Sequence, residues 1–431
     1  MFFVLYVILN SGKNNRREEI EMSSKNDQST FVLGVIITLM LSLYLFSEKP
    51  TEKEKNNKFQ KPTIDSYAQE KLALNYLNKL RQEAGLIAFS SESSLKKASK
   101  NHALYLALHK RYGHHEESNL TGFTGVFASQ RVQYAGYNTS LIIENVSANN
   151  QNYKESIDGL FSAIYHRFAF LDFQADEIGI GIEQNSLSKE STAFVYTIGS
   201  NTLNQLYKKD KNPSHKSLET ALNTHKDSNK KFITYPFPNQ TDIPPAFFDE
   251  LPDPLPDYDV SGFPISISFN PVHFKDIKLL KFELYNEKME SLETIIHDYK
   301  SDPNKRLNKF SFALFPLKRL AWNSHYSVKF LAQIDKEFIT KTWSFKTKKT
   351  KIPLHIIENN SSAVTITTNS PHLFYFPPQT PRDLLHNVRY NKEFKMGFLD
   401  KNTIKLTALN ASEETLHLKI GSHDLYLNIK E

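Results

Sequence analysis

Among the residues able to do chemistry, His114, His115, Glu144, His166 and Arg167 stand out, because no structural duty in the sequence claims them. The two histidines follow a helical stretch in the string RYGHHEES. Glu144 comes after two isoleucines in IIENV, and His166 and Arg167 close a third helical stretch in AIYHRF. Two imidazoles and one carboxylate suit a weak divalent-metal site or a general acid–base pair. Spacing alone does not bring them together. Histidine is also favoured at helix C-termini by the helix dipole, so a shared site and separate helix-end residues both stand open. His102 and His109 lie on an apolar helical face and read as buried, hydrogen-bonded structural histidines.

The elements that must position these residues follow from periodicity. A helix starts near Asp65, with Leu72, Tyr76 and Leu80 on one face, Ala73 and Leu77 widening it, and Gly85 just past its end. A second helix after Ser91 aligns Leu95, Ala98, His102, Leu106 and His109 at steps of three and four. A third opens at Asn152, with Glu155 placed for a capping arrangement and Ile157, Leu160 or Phe161, and Ile164 turned inward. Two strand patterns come next. Ile178, Ile180 and Ile182 alternate with Gly179 and Gly181, and Ala193, Val195 and Thr197 alternate with Phe194, Tyr196 and Ile198.

The rest of the chain is less helical. Residues 201–264 read as a linker, polar at first and then rich in proline, with Phe237, Phe247 and Phe248 packing along a domain surface. Short alternating strands from Ile265 to Thr347 imply a β-sandwich over 265–350. A weaker alternation over 351–431 reads as a small C-terminal β-domain, with continuation of the first sandwich as the alternative. The aromatics of these strands, Trp343 among them, read as core; a glycan-binding platform is the competing reading.

Composition narrows the function classes. The net charge of +6 is small for 431 residues, and no sustained basic stripe appears, so a nucleic-acid partner is not expected. The chain has no cysteine, which excludes disulfides, a thiol nucleophile and thiolate metal sites. Phe31 to Phe46 is uncharged and apolar. It is shorter than the roughly 20 residues of a spanning helix, but no small-residue cleavage signal follows. The expectation is an uncleaved anchor over 31–47, after a short segment 1–30 and before a polar spacer 48–64. Met22 reads as the true start of translation, with a short polar stretch and then the anchor behind it.

The strings NYLNKLRQEAGL, HHEESN, FASQRVQYAGY, IIENV, YHRFAFL and DEIGIGI occur in the order and spacing of bacterial CAP-superfamily domains, also called SCP-like. Over residues 65–200 the chain resembles that family. The resemblance implies an α+β fold, an α–β–α sandwich, here followed by one or two all-β sandwich-type domains of Ig-like or fibronectin type. It implies a cleft in which the first histidine matches His115, with His114 as the alternative register. Glu144 with Asn145, and His166 with Arg167, match the remaining cleft positions; Arg131 and Gly136 match positions ahead of the glutamate. The chain departs from the pattern at Ala163, where animal members carry a second cleft glutamate, and at Leu160, where a tryptophan is usual.

Together these readings give a single-pass protein of the cell membrane, with most of the chain extracytoplasmic. The first functional reading is a non-catalytic envelope module that binds a lipid, another small apolar ligand or an envelope protein, and needs no cofactor. The second is a metal-assisted hydrolase of peptide or cell-wall material. There His115, Glu144 and His166 converge on a weakly bound divalent ion such as zinc, with Glu144 and His166 as the catalytic pair.

Overall fold

The computed structural model describes residues 4–9, 63–185, 191–385, 388 and 393–431, and only the backbone of residues 4–9. Helix α1 (Ser66–Ala84) is capped by Asp65, whose side chain accepts from the Ala68 amide at 3.0 Å, and it ends at Gly85 with φ +101°. Its buried face is Ala73, Leu77, Leu80, Arg81 and Ala84, whereas Leu72 is exposed. Helix α2 (Ser93–His109) is capped by Glu92. Short α3 (Ala128–Tyr134) precedes α4 (Tyr153–Ser162), which is capped by Asn152, and α5 (Ile164–Phe170). The expected third helix is thus two helices, broken where Ala163 is extended.

These helices enclose one sheet. Strands β1 (Val4–Leu9), β2 (Ser90–Ser91), β3 (Leu141–Ala148), β4 (Glu177–Gln184) and β5 (Thr192–Gly199) lie in the order β1-β3-β5-β4-β2. A start at Met22 would omit β1, which pairs antiparallel with β3 over its whole length. The alternation of isoleucine and glycine in β4 has a steric cause. A Cβ at Gly179 or Gly181 would lie 2.0 or 2.3 Å from the α2 backbone at Leu95 or Ser99, so the helix rests directly on the glycine face. Ile178, Ile180 and Ile182 turn to the other face, into a cluster with Leu77, Ile157, Leu160 and Phe161.

Residues 201–264, expected as a linker, fold. They form α6 (Asn201–Lys209), α7 (His215–Asp227), β6 (Phe232–Tyr235), β7 (Gln240–Ile243), β8 (Ala246–Phe248) and β9 (Val260–Gly262). The prolines fall between short strands, where a missing amide costs no ladder bond. Then come β10 (Ile265–Phe269), β11 (Ile277–Tyr285), β12 (Thr294–His297), β13 (Ser311–Pro316), β14 (His325–Ile334) and β15 (Glu337–Thr347). Two four-stranded sheets result, ordered β12-β13-β10-β6 and β11-β14-β15-β7, so the expected linker supplies a strand to each. Their core, including Phe269, Phe312, Phe330 and Phe345, is continuous with the apolar cluster under α1 and α4.

The last strands are β16 (Leu354–Ile356), β17 (Ser361–Thr367), β18 (Pro371–Tyr375), β19 (Phe394–Asp400), β20 (Thr403–Ala408), β21 (Ser412–Ile420) and β22 (His423–Lys430). They form sheets ordered β16-β18-β20-β19 and β17-β22-β21 around a separate apolar cluster.

The membrane expectation is corrected. Among the described residues no helix is long and apolar enough to cross a membrane. Even α1, the longest at 19 residues, carries Glu70, Lys71, Lys79, Arg81 and Glu83, charges that are costly in hydrocarbon. The segment 31–47 lies outside the described residues. The single-pass anchor, the membrane as partner and the cell-membrane location therefore have no support here.

Candidate functional site

Strand β3 carries Glu144 and Asn145, and successive strand residues face opposite sides of a sheet. Glu144 faces α2 and α3. Both of its oxygens accept from Arg131 Nη2, at 2.8 and 2.9 Å, and Oε1 accepts from His114 Nδ1 at 2.9 Å. Arg131, on α3, also donates to the Gly125 and Val126 carbonyls at 3.2 and 3.1 Å. His102, on the inner face of α2, completes the group. Its Nε2 donates to the Gly113 carbonyl at 3.0 Å, and its Nδ1 lies 2.9 Å from Glu116 Oε1. That second contact needs one proton shared between imidazole and carboxyl. All of these side chains are buried.

The electrostatics follow from this crowding. Burial by itself would raise Glu144, but Arg131, His102 and His114 together hold it far below the usual carboxylate range. Glu116 is also opposed by burial, and contacts with His102, Thr124 and Arg131 hold it down. Burial and the Arg131 charge lower His102. One guanidinium against Glu144, with His102 and Glu116 sharing a proton, leaves the buried group close to neutral, as a low-dielectric interior requires.

His114 is the histidine on Glu144. His115 points outward, with its ring edge-on to Phe127 at a centroid distance of 5.2 Å. A partly apolar setting lowers it. The loop after α2 has no repeat from which to predict which neighbour turns inward.

Asn145 faces α5 and donates to the His166 carbonyl at 2.9 Å. The His166 imidazole is buried, with Nδ1 3.0 Å from Glu250 Oε2, and Glu250 Oε1 accepts from the Ile164 amide at 2.6 Å. Glu250 belongs to the proline-rich stretch between β8 and β9. It caps the first turn of α5 and supplies His166 with a carboxyl group from a residue 84 positions away. Burial pushes Glu250 well above the usual carboxylate range, so one proton bridges this pair too. Nothing in the sequence around Glu250 signals this. Glu116 had a signal, since it follows directly on His114 and His115.

Arg167 is buried and faces the sandwich. Nε donates to the Phe161 carbonyl at 2.7 Å, Nη1 to the Pro264 carbonyl at 2.7 Å and to Ser266 Oγ at 3.2 Å. Its guanidinium lies 4.9 Å from the Tyr235 ring centre and 4.8 Å from that of Phe263. Burial lowers it to about 9.

The metal expectation is corrected. Among the described residues no group of three or more His, Asp or Glu is arranged to hold a metal ion. The reason is chemical: Arg131 already occupies both Glu144 oxygens, and His166 is engaged with Glu250. The weak zinc site at His115, Glu144 and His166, and the metal-assisted hydrolase built on it, are withdrawn.

Comparison with known proteins gives the domain its family. The model of the CAP family, described as the cysteine-rich secretory protein family, matches residues 74–198. No curated protein matches the chain. An outer surface protein from Borrelia burgdorferi is similar at 19% identity and a TM-score of 0.27, over 32% of this chain and 96% of that one. An extracellular protein containing an SCP domain, from Bacillus anthracis, is similar at 14% identity and a TM-score of 0.27. That match covers 31% of this chain and 44%, less than half, of the Bacillus chain. The CAP domain of enterococcal PrgA is similar at 14% identity and a TM-score of 0.23, over 41% of this chain and 80% of that one. With the family match and the three-layered fold both in place, residues 74–198 are a CAP, or SCP-like, domain.

Proposed function

We propose that this chain is a non-catalytic binding protein whose CAP domain and first β-sandwich form one structural body. The observation that carries this reading is the engagement of the cleft residues with one another. Glu144 is buried, bonded to Arg131 and His114, and held too acidic to serve as a base or a proton donor near neutral pH. His166 is covered by Glu250 from the segment that leads into the sandwich. A general base needs an accessible lone pair and a value near working pH, and neither group offers both. Turnover assays on peptide, ester and glycosidic substrates are expected to find no activity. Turnover by the wild type that disappears in His114→Ala or His166→Ala, with both variants still folded by circular dichroism, would overturn the proposal.

The strands after residue 264 read as Ig-like or fibronectin-type units. Support comes from two four-stranded sheets that share one aromatic core, each built largely from antiparallel pairs such as β14 with β15. In this reading they hold the CAP domain rather than act on a substrate.

A further inference from the structure

A second concave site lies on the CAP domain, away from the histidine network. It is a cavity of about 180 Å³ between α1, the start of α2 and the β4 edge of the sheet, lined by Tyr67, Glu70, Lys71, Leu74, Ser91, Lys96, Ile178 and Ile180. Tyr67, Glu70, Lys71 and Leu74 stand at steps of three and four on α1, so one helical stripe forms a wall. Leu74, Ile178 and Ile180 are its apolar lining, and Tyr67 is 73% exposed.

The polar groups are unevenly matched. Glu70 is 5% exposed, and its Oε2 accepts from Lys96 Nζ at 2.8 Å. Its Oε1 is buried and has no hydrogen-bond partner. A buried carboxylate oxygen without a donor is costly, so the site favours a ligand that brings one. The Lys96 ammonium also stands 5.7 Å from the Tyr67 ring centre, which ties the carboxylate to the aromatic face.

We infer that this cavity binds a single neutral sugar ring, with Glu70 Oε1 accepting from a ring hydroxyl and Tyr67 lying against the C–H face. Charge selects the class. Lys96 already neutralises Glu70, so a cation would add uncompensated charge beside Lys71 and Lys96, and an anion would meet the unpartnered carboxylate oxygen. A hydroxyl donates to that oxygen without changing the balance. Further hydroxyls suit Ser91, which donates and accepts, and the spare donors of Lys71 and Lys96. Size selects one ring, because drug-sized ligands occupy roughly 300–1,000 Å³. The aromatic ring and the apolar lining suit the less polar faces of a pyranose.

The test is saturation-transfer NMR on the whole chain with glucose, galactose, mannose and N-acetylglucosamine, each alone, and with ethanolamine and methyl phosphate as charged probes. At least one sugar is expected to bind in the millimolar range. Glu70→Gln and Tyr67→Ala are each expected to weaken it about tenfold, with melting curves confirming that both variants fold. Absence of transfer to every sugar overturns the inference. So does sugar binding unchanged in both variants, or tighter binding of ethanolamine or methyl phosphate at these residues.

Discussion

The CAP domain meets the first sandwich and the C-terminal strands in two different ways. Toward the first sandwich the junction is apolar and continuous. One cluster of buried side chains runs from Leu77 and Phe161 to Tyr235, Phe263 and Phe312. Buried polar groups thread it: Arg167 reaches Pro264 and Ser266, Glu250 reaches Ile164, and the Tyr165 hydroxyl donates to Asp302. The C-terminal strands have a core of their own, with Phe374, Ile404, Leu406, Leu425 and Leu427. They touch the rest of the chain through polar contacts: the charged pairs Arg319 with Asp400, Lys401 with Asp249, and Arg382 with Asp257 and Asp259, and the Asp259 and Val260 amides, which donate to the Pro381 carbonyl. An apolar junction makes its two halves interdependent, because separating them exposes core to water. A polar junction lets each side keep its own core.

Truncation is the strongest way to break this comparison. Ending the chain before residue 232 removes Tyr235, Glu250 and Phe263 and uncovers Phe161, Arg167 and His166. That fragment is expected to lose its cooperative melting transition. Ending the chain at residue 351 is expected to leave a cooperative transition within a few degrees of the intact protein's. Thermal melts followed by near-ultraviolet circular dichroism check both, and equal damage from the two truncations would erase the distinction.

Single substitutions sharpen it at smaller scale. Phe263 is fully buried against Arg167 and Tyr235, so Phe263→Ala is expected to cost about 3–5 kcal/mol. Arg319 makes two bonds to a partly exposed Asp400, at 2.9 and 2.7 Å, and Arg319→Ala is expected to cost about 1–2 kcal/mol. Urea unfolding of the two variants measures the gap, and a reversed order would show that the polar junction is the stronger.

The smallest expected effect is a pH dependence of the C-terminal strands. His355 Nε2 and His372 Nδ1 lie 3.0 Å apart, and the Thr367 amide donates to His372 Nε2 at 3.3 Å. That amide requires an unprotonated Nε2, so neutral His372 carries its proton on Nδ1 and donates to His355. Burial lowers both histidines, and His372 further lowers His355. In the unfolded chain they titrate near 6.5, so below about that pH the unfolded state binds more protons. Stability is full above about pH 6.5 and declines as pH falls through it toward the lower folded values. The protection factors of β18 amides, corrected for the slower intrinsic exchange at lower pH, are expected to fall on going from about pH 7.5 to about pH 5.5, more than those of β15. Equal change in both strands would refute a local cause.

Much of the CAP domain was legible along the chain, because its elements are built from local signals. Asp65, Gly85 and Asn152 mark helix ends by their own hydrogen bonding and backbone freedom, and the alternation of isoleucine with glycine marks β4 as a strand, although only the fold shows that α2 lies on its glycine face. His102 showed itself as a buried histidine through its place on an apolar helical face. The site depended on what periodicity does not carry. His114 and His115 sit in an irregular turn, where only the packed fold decides which ring meets Glu144. Glu250 reaches His166 from a distant proline-rich stretch whose sequence resembles a linker, and only the junction with the sandwich turns that stretch inward. Sequence by itself determined the first two helices, the strand alternation of β4 and β5 and the family motifs, since each rests on signals within a few residues. Tertiary structure alone decided which charges meet, because burying a charge becomes tolerable only when a partner arrives from elsewhere in the chain.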